Sequence, residues 1–237
     1  MIDGGRQQSL IVTNGALDCK LILNNVTILS TTLQMLSEKY SSSPPQFNIA
    51  SSLFKASKIE VMSLNLLQSS VISNSMFLSE EQQYTIAICI PTDYHLPMRD
   101  KGYQTSSPHL LLYNMTVVDL GLQGSPTRST MLSHTLCDKN RLGPSDIYIT
   151  AGLFMLNIMN CSFRRSYGSA LQAQMCPFSQ FTMSNTTFQD YTQGALLFTG
   201  DLEGATITLN HVMHHDSQQH QHCRKHSSCS YTHCLPY

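Results

Sequence analysis

Hydrophobic and polar positions alternate along this chain in a unit that recurs. Apolar residues stand four and two places before an asparagine, and another stands three places after it. The unit reads Leu21, Leu23, Asn25, Ile28; Leu110, Leu112, Asn114, Val117; Leu156, Ile158, Asn160, Phe163; and Phe181, Met183, Asn185, Phe188. A further copy, Ser70, Ile72, Asn74, Phe77, departs only at its first position. Of the 15 flanking positions 14 are apolar, in a chain that is 41% hydrophobic, so the pattern is a repeat rather than background. A repeat at fixed spacing constrains the architecture more than any other sequence feature.

The spacing sets the unit length. Asn160 and Asn185 lie 25 residues apart, and the two segments align without a gap as far as Ser169-Ala170-Leu171 and Gly194-Ala195-Leu196. Asn25 to Asn74 is 49 residues, close to two units. The next two intervals, 40 and 46 residues, read as one unit plus an insertion each. Residues 91–108 and 121–146 supply those insertions, being rich in Pro, Gly and charge, a composition of loops rather than packed strands.

Alternation with a period of two means strand. By that alternation the Asn faces inward with the two apolar residues before it. The step from the Asn to the next apolar position is odd, which places a bend at the Asn and a second strand starting near Phe163 or Phe188. One unit is then a coil of several short strands, each pairing with its equivalent in the next coil. An inward Asn at the bend would stack on its neighbours as an internal ladder. Leucine-rich repeats share the length and an Asn, but their Asn stands three places after the second leucine; here it stands two after. The scarcity of helical periodicity, with Ser and Thr at 50 of 237 residues, also favours a β-solenoid.

The units FMLNIMNCSFRRSYGSAL and SQFTMSNTTFQDYTQGALLF resemble coils of right-handed parallel β-helices of the pectin-lyase-like superfamily. More narrowly they are similar to the non-catalytic repeats of large surface proteins of ciliates and other protists. Bacterial autotransported surface proteins are the more distant likeness, because Ser166 and Tyr191 stand where those repeats carry a second Asn. The resemblance implies an all-β right-handed parallel β-helix over residues 15–215, with coils of about 25 residues and the two insertions. Residues 1–14 would form an N-terminal edge or truncated cap, and 216–237 a His/Cys-rich tail.

Composition narrows the function. Charged residues are 12% and the net charge is −1, which gives no basis for nucleic-acid or anionic-membrane binding. No run approaches the ~20 apolar residues of a membrane span. A β-helix needs both ends covered, so the expectation is a piece of a larger secreted or membrane-anchored protein, located outside the cell or at its surface. Its partners would be other segments of that protein, with glycans or cell-surface proteins as further candidates.

Four of the pattern asparagines, Asn25, Asn114, Asn160 and Asn185, begin an Asn-x-Ser/Thr triplet. Such triplets are glycosylation acceptors in secreted proteins, but an inward Asn would be closed to a glycan. The two readings make opposite demands on Asn burial. Of the eight cysteines, Cys161 directly follows an Asn and faces outward by strand alternation, where a bridge to Cys137 is one option. Seven of the ten histidines lie between 211 and 233. His211 with His215, or His222 with Cys223 and His226, are candidate ligands for zinc or copper. The tail reads equally as an unstructured extension or, following the resemblance, as the start of a Cys-rich module. The loop from Asp93 to Tyr103 concentrates charge and aromatic residues, a composition suited either to recognition or to a solvated insertion.

Enzymes of this fold act on acidic polysaccharides with two or three clustered carboxylates, or with a base and acidic calcium ligands. Here carboxylates are scattered singly, as Glu60, Asp119, Asp190, Asp201 and Glu203, and no Ser-hydrolase elbow is present. No catalytic residue and no cofactor are therefore expected. The expectation is a structural or adhesive β-helix, and the alternative is a carbohydrate-active lyase or hydrolase of the same fold, degenerate or otherwise.

Overall fold

The computed structural model describes residues 1–13, 20–37, 46–63, 69–79, 86–89, 110–119, 145–150, 155–166, 169–175, 179–191, 195–200 and 202–215. Those residues form strands and turns with no helix among them. In chain order the strands are β1 (Ile2–Thr13), β2 (Lys20–Asn24), β3 (Thr27–Ser37), β4 (Gln46–Ala50), β5 (Leu53–Lys55), β6 (Lys58–Ser63), β7 (Ser70–Ser73), β8 (Met76–Ser79) and β9 (Ile86–Cys89). They continue as β10 (Leu110–Tyr113), β11 (Thr116–Asp119), β12 (Ser145–Thr150), β13 (Met155–Met159), β14 (Ser162–Ser166), β15 (Ser169–Met175), β16 (Gln180–Tyr191), β17 (Leu196–Gly200) and β18 (Thr206–His215).

All pairings are parallel, and they build three stacked faces. The first stacks β2, β4, β7, β10, β13, the start of β16 and the start of β18. The second stacks the opening of β1 and β3, then β5, β8, β11, β14 and the later parts of β16 and β18. The third stacks the later parts of β1 and β3 with β6, β9, β12, β15 and β17. This is a parallel β-solenoid with coils about 26 residues apart.

Register explains the repeat. Leu23, Ile49, Ile72, Leu112, Ile158, Met183 and Leu209 align across the first face. Ile28, Phe54, Phe77, Val117, Phe163, Phe188 and His214 align across the second. From Ile49 to Met183 and from Ile28 to Phe188 these side chains are at most 1% exposed. Fully burying side chains of this size contributes roughly 1.5–3 kcal/mol each. Phe54 stacks on Phe77 with ring centroids 4.5 Å apart, and Phe163 on Phe188 at 5.3 Å. Coil on coil, the interior is a column of like side chains.

Two coils occupy the same register without the Asn, the second also with His214 in place of the apolar residue after the corner. Phe47, Ile49, Ser51 and Phe54 occupy the copy missing between Asn25 and Asn74. Ile207, Leu209, His211 and His214 occupy the copy after Asn185. The estimate of two units across the 49-residue interval therefore matches the structure.

The direction of the Asn side chains is a correction. Asn25, Asn74, Asn114, Asn160 and Asn185 are all exposed, so no internal Asn ladder exists. With Ser51 and His211 they adopt φ between 47° and 55°. That left-handed conformation costs most L-residues roughly 1–2 kcal/mol, and Asn tolerates it best after Gly. The left-handed residue turns the chain at the corner and carries its own side chain to the convex side. The odd step thus runs from −2 to +1 rather than from the Asn to +3. Inward positions are −4, −2, +1 and +3 relative to the Asn. By the same shift Cys161, expected outside, is 3% exposed.

Candidate functional site: the asparagine edge and the first face

The first corner is a continuous line of left-handed residues: Asn25, Ser51, Asn74, Asn114, Asn160, Asn185 and His211. Backbone N–H groups lock successive members together. Asn25 donates to Ala50 O at 3.0 Å, Asn74 to Tyr113 O at 3.0 Å, Asn114 to Met159 O at 2.9 Å and Asn160 to Ser184 O at 3.0 Å. Outside, Asn114 Nδ2 donates to Asn74 Oδ1 at 2.8 Å. The ladder expected inside the coil thus has an external counterpart.

The residue after each corner faces inward and has a different task. Its N–H lies at a turn, where the regular strand ladder is interrupted, and an unpaired buried N–H is costly. A hydroxyl from the next coil supplies the acceptor. Val26 N donates to Ser52 Oγ at 3.3 Å, and Ser52 N to Ser75 Oγ at 3.2 Å. Each hydroxyl in turn donates within its own coil: Ser52 Oγ to Ala50 O, Ser75 Oγ to Ser73 O and Thr186 Oγ1 to Ser184 O, at 2.7–2.9 Å. Cys161 holds the same place, with Sγ 3.2 Å from Met159 O and 3.6 Å from Leu112 O. Burial pushes its thiol up to about 11, against a smaller lowering by backbone N–H groups near it. The group is a buried structural thiol. Cys137 lies outside the described residues.

A second corner repeats this construction with other residues. Ser30, Ala56 and Asp190 are left-handed there, and Thr31, Ser57 and Tyr191 follow them inward. Thr31 N donates to Ser57 Oγ at 3.1 Å. Sequence patterning could not find this corner, because its left-handed residues share no chemical type.

The exterior of the first face is unusual in its charge. One outward row runs Ile22, Asn48, Val71, Leu111, Asn157, Thr182, Thr208. The other runs Asn24, Ala50, Ser73, Tyr113, Met159, Ser184, Asn210. None of these side chains is ionisable at neutral pH; the outward positions that open the face, Lys20 and Gln46 in one stretch and Met155, Gln180 and Thr206 in another, add one charge, at the exposed Lys20. Ile22, Tyr113 and Met159 stand exposed among them. On the third face Glu60 is buried and tied to its own neighbours, with Oε1 3.1 Å from Lys58 Nζ and Oε2 accepting from Gln34 Nε2 at 2.5 Å.

His211 stands at the first corner and His215 at the end of β18, both exposed. His222, Cys223 and His226 lie outside the described residues, as do Asp93 to Tyr103. Among the described residues no three His, Cys, Asp or Glu side chains come together as a metal site, and no helix is long and apolar enough to cross a membrane. No protein-family model matches this chain, and no curated protein or solved structure matches it either.

Proposed function

We propose that this chain is a structural or adhesive segment of a larger cell-surface or secreted protein, without catalytic activity, and related to the non-catalytic β-helices of the pectin-lyase-like superfamily. The observation that carries this reading is the exterior of the first face, whose described outward rows hold no carboxylate and a single charge, at Lys20. Cleavage of an acidic polysaccharide needs charged groups converging on the scissile bond. The outward rows of this face offer amides, hydroxyls, apolar side chains and one amine instead, which suit contact with neutral glycans or protein surfaces. The last described coil supports association with further segments. Ile207 and Leu209 are in register with Phe181 and Met183. They are 40% and 47% exposed where their counterparts are 2% and 0%. This is surface that a following coil covers elsewhere in the stack.

The test is protection and labelling of the tagged full-length protein in its own cells. Access to a membrane-impermeant label on intact cells is the expected outcome, and residence in the cytosol overturns the reading. Depolymerisation of a polyuronide by purified protein would replace it with the carbohydrate-active alternative.

A further inference from the structure

From the geometry of the first corner we infer that Asn25, Asn114, Asn160 and Asn185 are N-glycosylation acceptors and that this corner displays a line of glycans. The inference rests on the extracellular reading above, because the modifying enzyme works in the secretory pathway.

The fold accounts for the Asn but not for the rest of the triplet. A left-handed corner favours Asn whatever follows it. The hydroxyl residue two places on has no such cause. That position opens the second face and points outward, and in the seven stacked coils it holds Thr27, Leu53, Met76, Thr116, Ser162, Thr187 and Met213. Leu53, Met76 and Met213 show that the position accepts large apolar side chains. Thr27, Thr116, Ser162 and Thr187 are only half-buried. Ser162 Oγ accepts a hydrogen bond from Arg164 Nε at 3.3 Å, on the exposed surface. Hydroxyls occur at this position only in coils whose corner is Asn. The buried bracket that the fold does require is made one residue earlier, by Ser52, Ser75 and Thr186. An Asn-x-Ser/Thr acceptor needs both the Asn and the later hydroxyl, and four coils supply both.

Exposure completes the case. A glycan attached before folding must remain outside the coil afterwards, and all four side chains point to solvent. In the transfer, Asn Nδ2 forms a bond to the anomeric carbon of a lipid-pyrophosphate-linked oligosaccharide. The bond from that carbon to the pyrophosphate oxygen breaks, the lipid pyrophosphate leaves with the electron pair, and the amide gives up one proton. One amide hydrogen remains on the modified Nδ2. Asn74, which accepts the Asn114 amide hydrogen bond, is followed by Met76 and lies outside the acceptor set.

The full chain directed into a eukaryotic secretory pathway by a cleavable leader tests this. Expected is a mobility shift that an N-glycan-removing amidase collapses, with Asn25, Asn114, Asn160 and Asn185 converted to Asp in the released peptides. Thr27→Ala, Thr116→Ala, Ser162→Ala and Thr187→Ala should each remove one step of the shift while leaving the corner Asn in place. Met76→Thr should add one step at Asn74. A secreted, folded chain with no amidase-sensitive shift, or a shift that ignores these substitutions, overturns the inference. Localisation of the protein in its own cells, without the added leader, is read separately. Surface residence without glycans sinks this inference alone, whereas cytosolic residence sinks the extracellular reading and this inference with it.

Discussion

Asn74 and Ser75 are neighbours in the chain and opposites in the structure. Asn74 is exposed, and Ser75 is 3% exposed. The Asn is selected for its backbone: it occupies φ of 48° at lower cost than other side-chain-bearing residues. The Ser is selected for its hydroxyl, which accepts from Ser52 N and donates to Ser73 O. The outward side of the corner is therefore permissive in side chain and strict in conformation. The inward side is strict in hydrogen bonding and volume. The difference shows why a conspicuous sequence feature can mark a turn without being its adhesive.

Substitutions on the two sides should differ most where the inward side is apolar. Phe77→Ala removes a ring stacked on Phe54 in a fully buried column and should cost about 3–5 kcal/mol. Its outward neighbour Met76 is 42% exposed, and Met76→Ala should change stability by no more than about 0.5 kcal/mol. Denaturant unfolding of both variants measures the gap. Equal costs would mean that the two sides of β8 are not distinguished as described. Ser52→Ala comes next. It leaves Val26 N without its hydroxyl acceptor and Ala50 O with only the Asn25 N–H of its two donors, for an expected loss of about 1–3 kcal/mol. Faster amide exchange at Val26 should accompany that loss.

The coil length, the parallel stacking and the first corner follow from positions that a single sequence displays openly: the period-two stretches and the odd step between them; the second corner, and with it the three faces, came from the structure. The direction of the Asn was not accessible to the same reasoning. Strand alternation assumes φ stays negative, and one left-handed residue shifts the phase. A pattern defined by Asn misses Ser51 and His211, although Phe47, Ile49 and Phe54 keep the apolar positions around Ser51. A pattern open to any small or polar residue at the corner includes the Ser51 coil in full; the His211 coil departs a second time, with His214 in place of the apolar residue. The carboxylate-free exterior of the first face needed register, since it brings together residues from seven coils that are far apart in sequence.

A smaller effect isolates the conformational side of the comparison. Asn160→Gly retains the left-handed backbone without a Cβ penalty, so it should be nearly neutral in the unglycosylated protein. Asn160→Ala must hold φ of 55° with a Cβ present and should lose about 1–2 kcal/mol. If the two variants were equally destabilised, the Asn side chain rather than its backbone would be responsible. Urea midpoints at constant slope separate these outcomes.

The smallest effect is expected at Cys161, where inward strictness is already met by a different atom. Its Sγ takes the place that Ser52 and Ser75 hydroxyls take in other coils and reaches the equivalent carbonyl two residues back. Cys161→Ser should therefore stay within about 1 kcal/mol of the parent, with the hydroxyl making the shorter hydrogen bond and the loss of apolar volume opposing it. The pH response gives a second readout. Burial raises the folded thiol from its ordinary 9.0 to about 11, so the unfolded chain loses this proton first as pH rises. The contribution to stability is constant below about pH 9 and declines between about 9 and 11. That decline should be weaker in Cys161→Ser than in the parent. Peptide-resolved alkylation should likewise leave Cys161 unlabelled until the chain unfolds, because the thiolate is the reactive form. Rapid labelling of the folded protein would place this side chain on the permissive side of the corner.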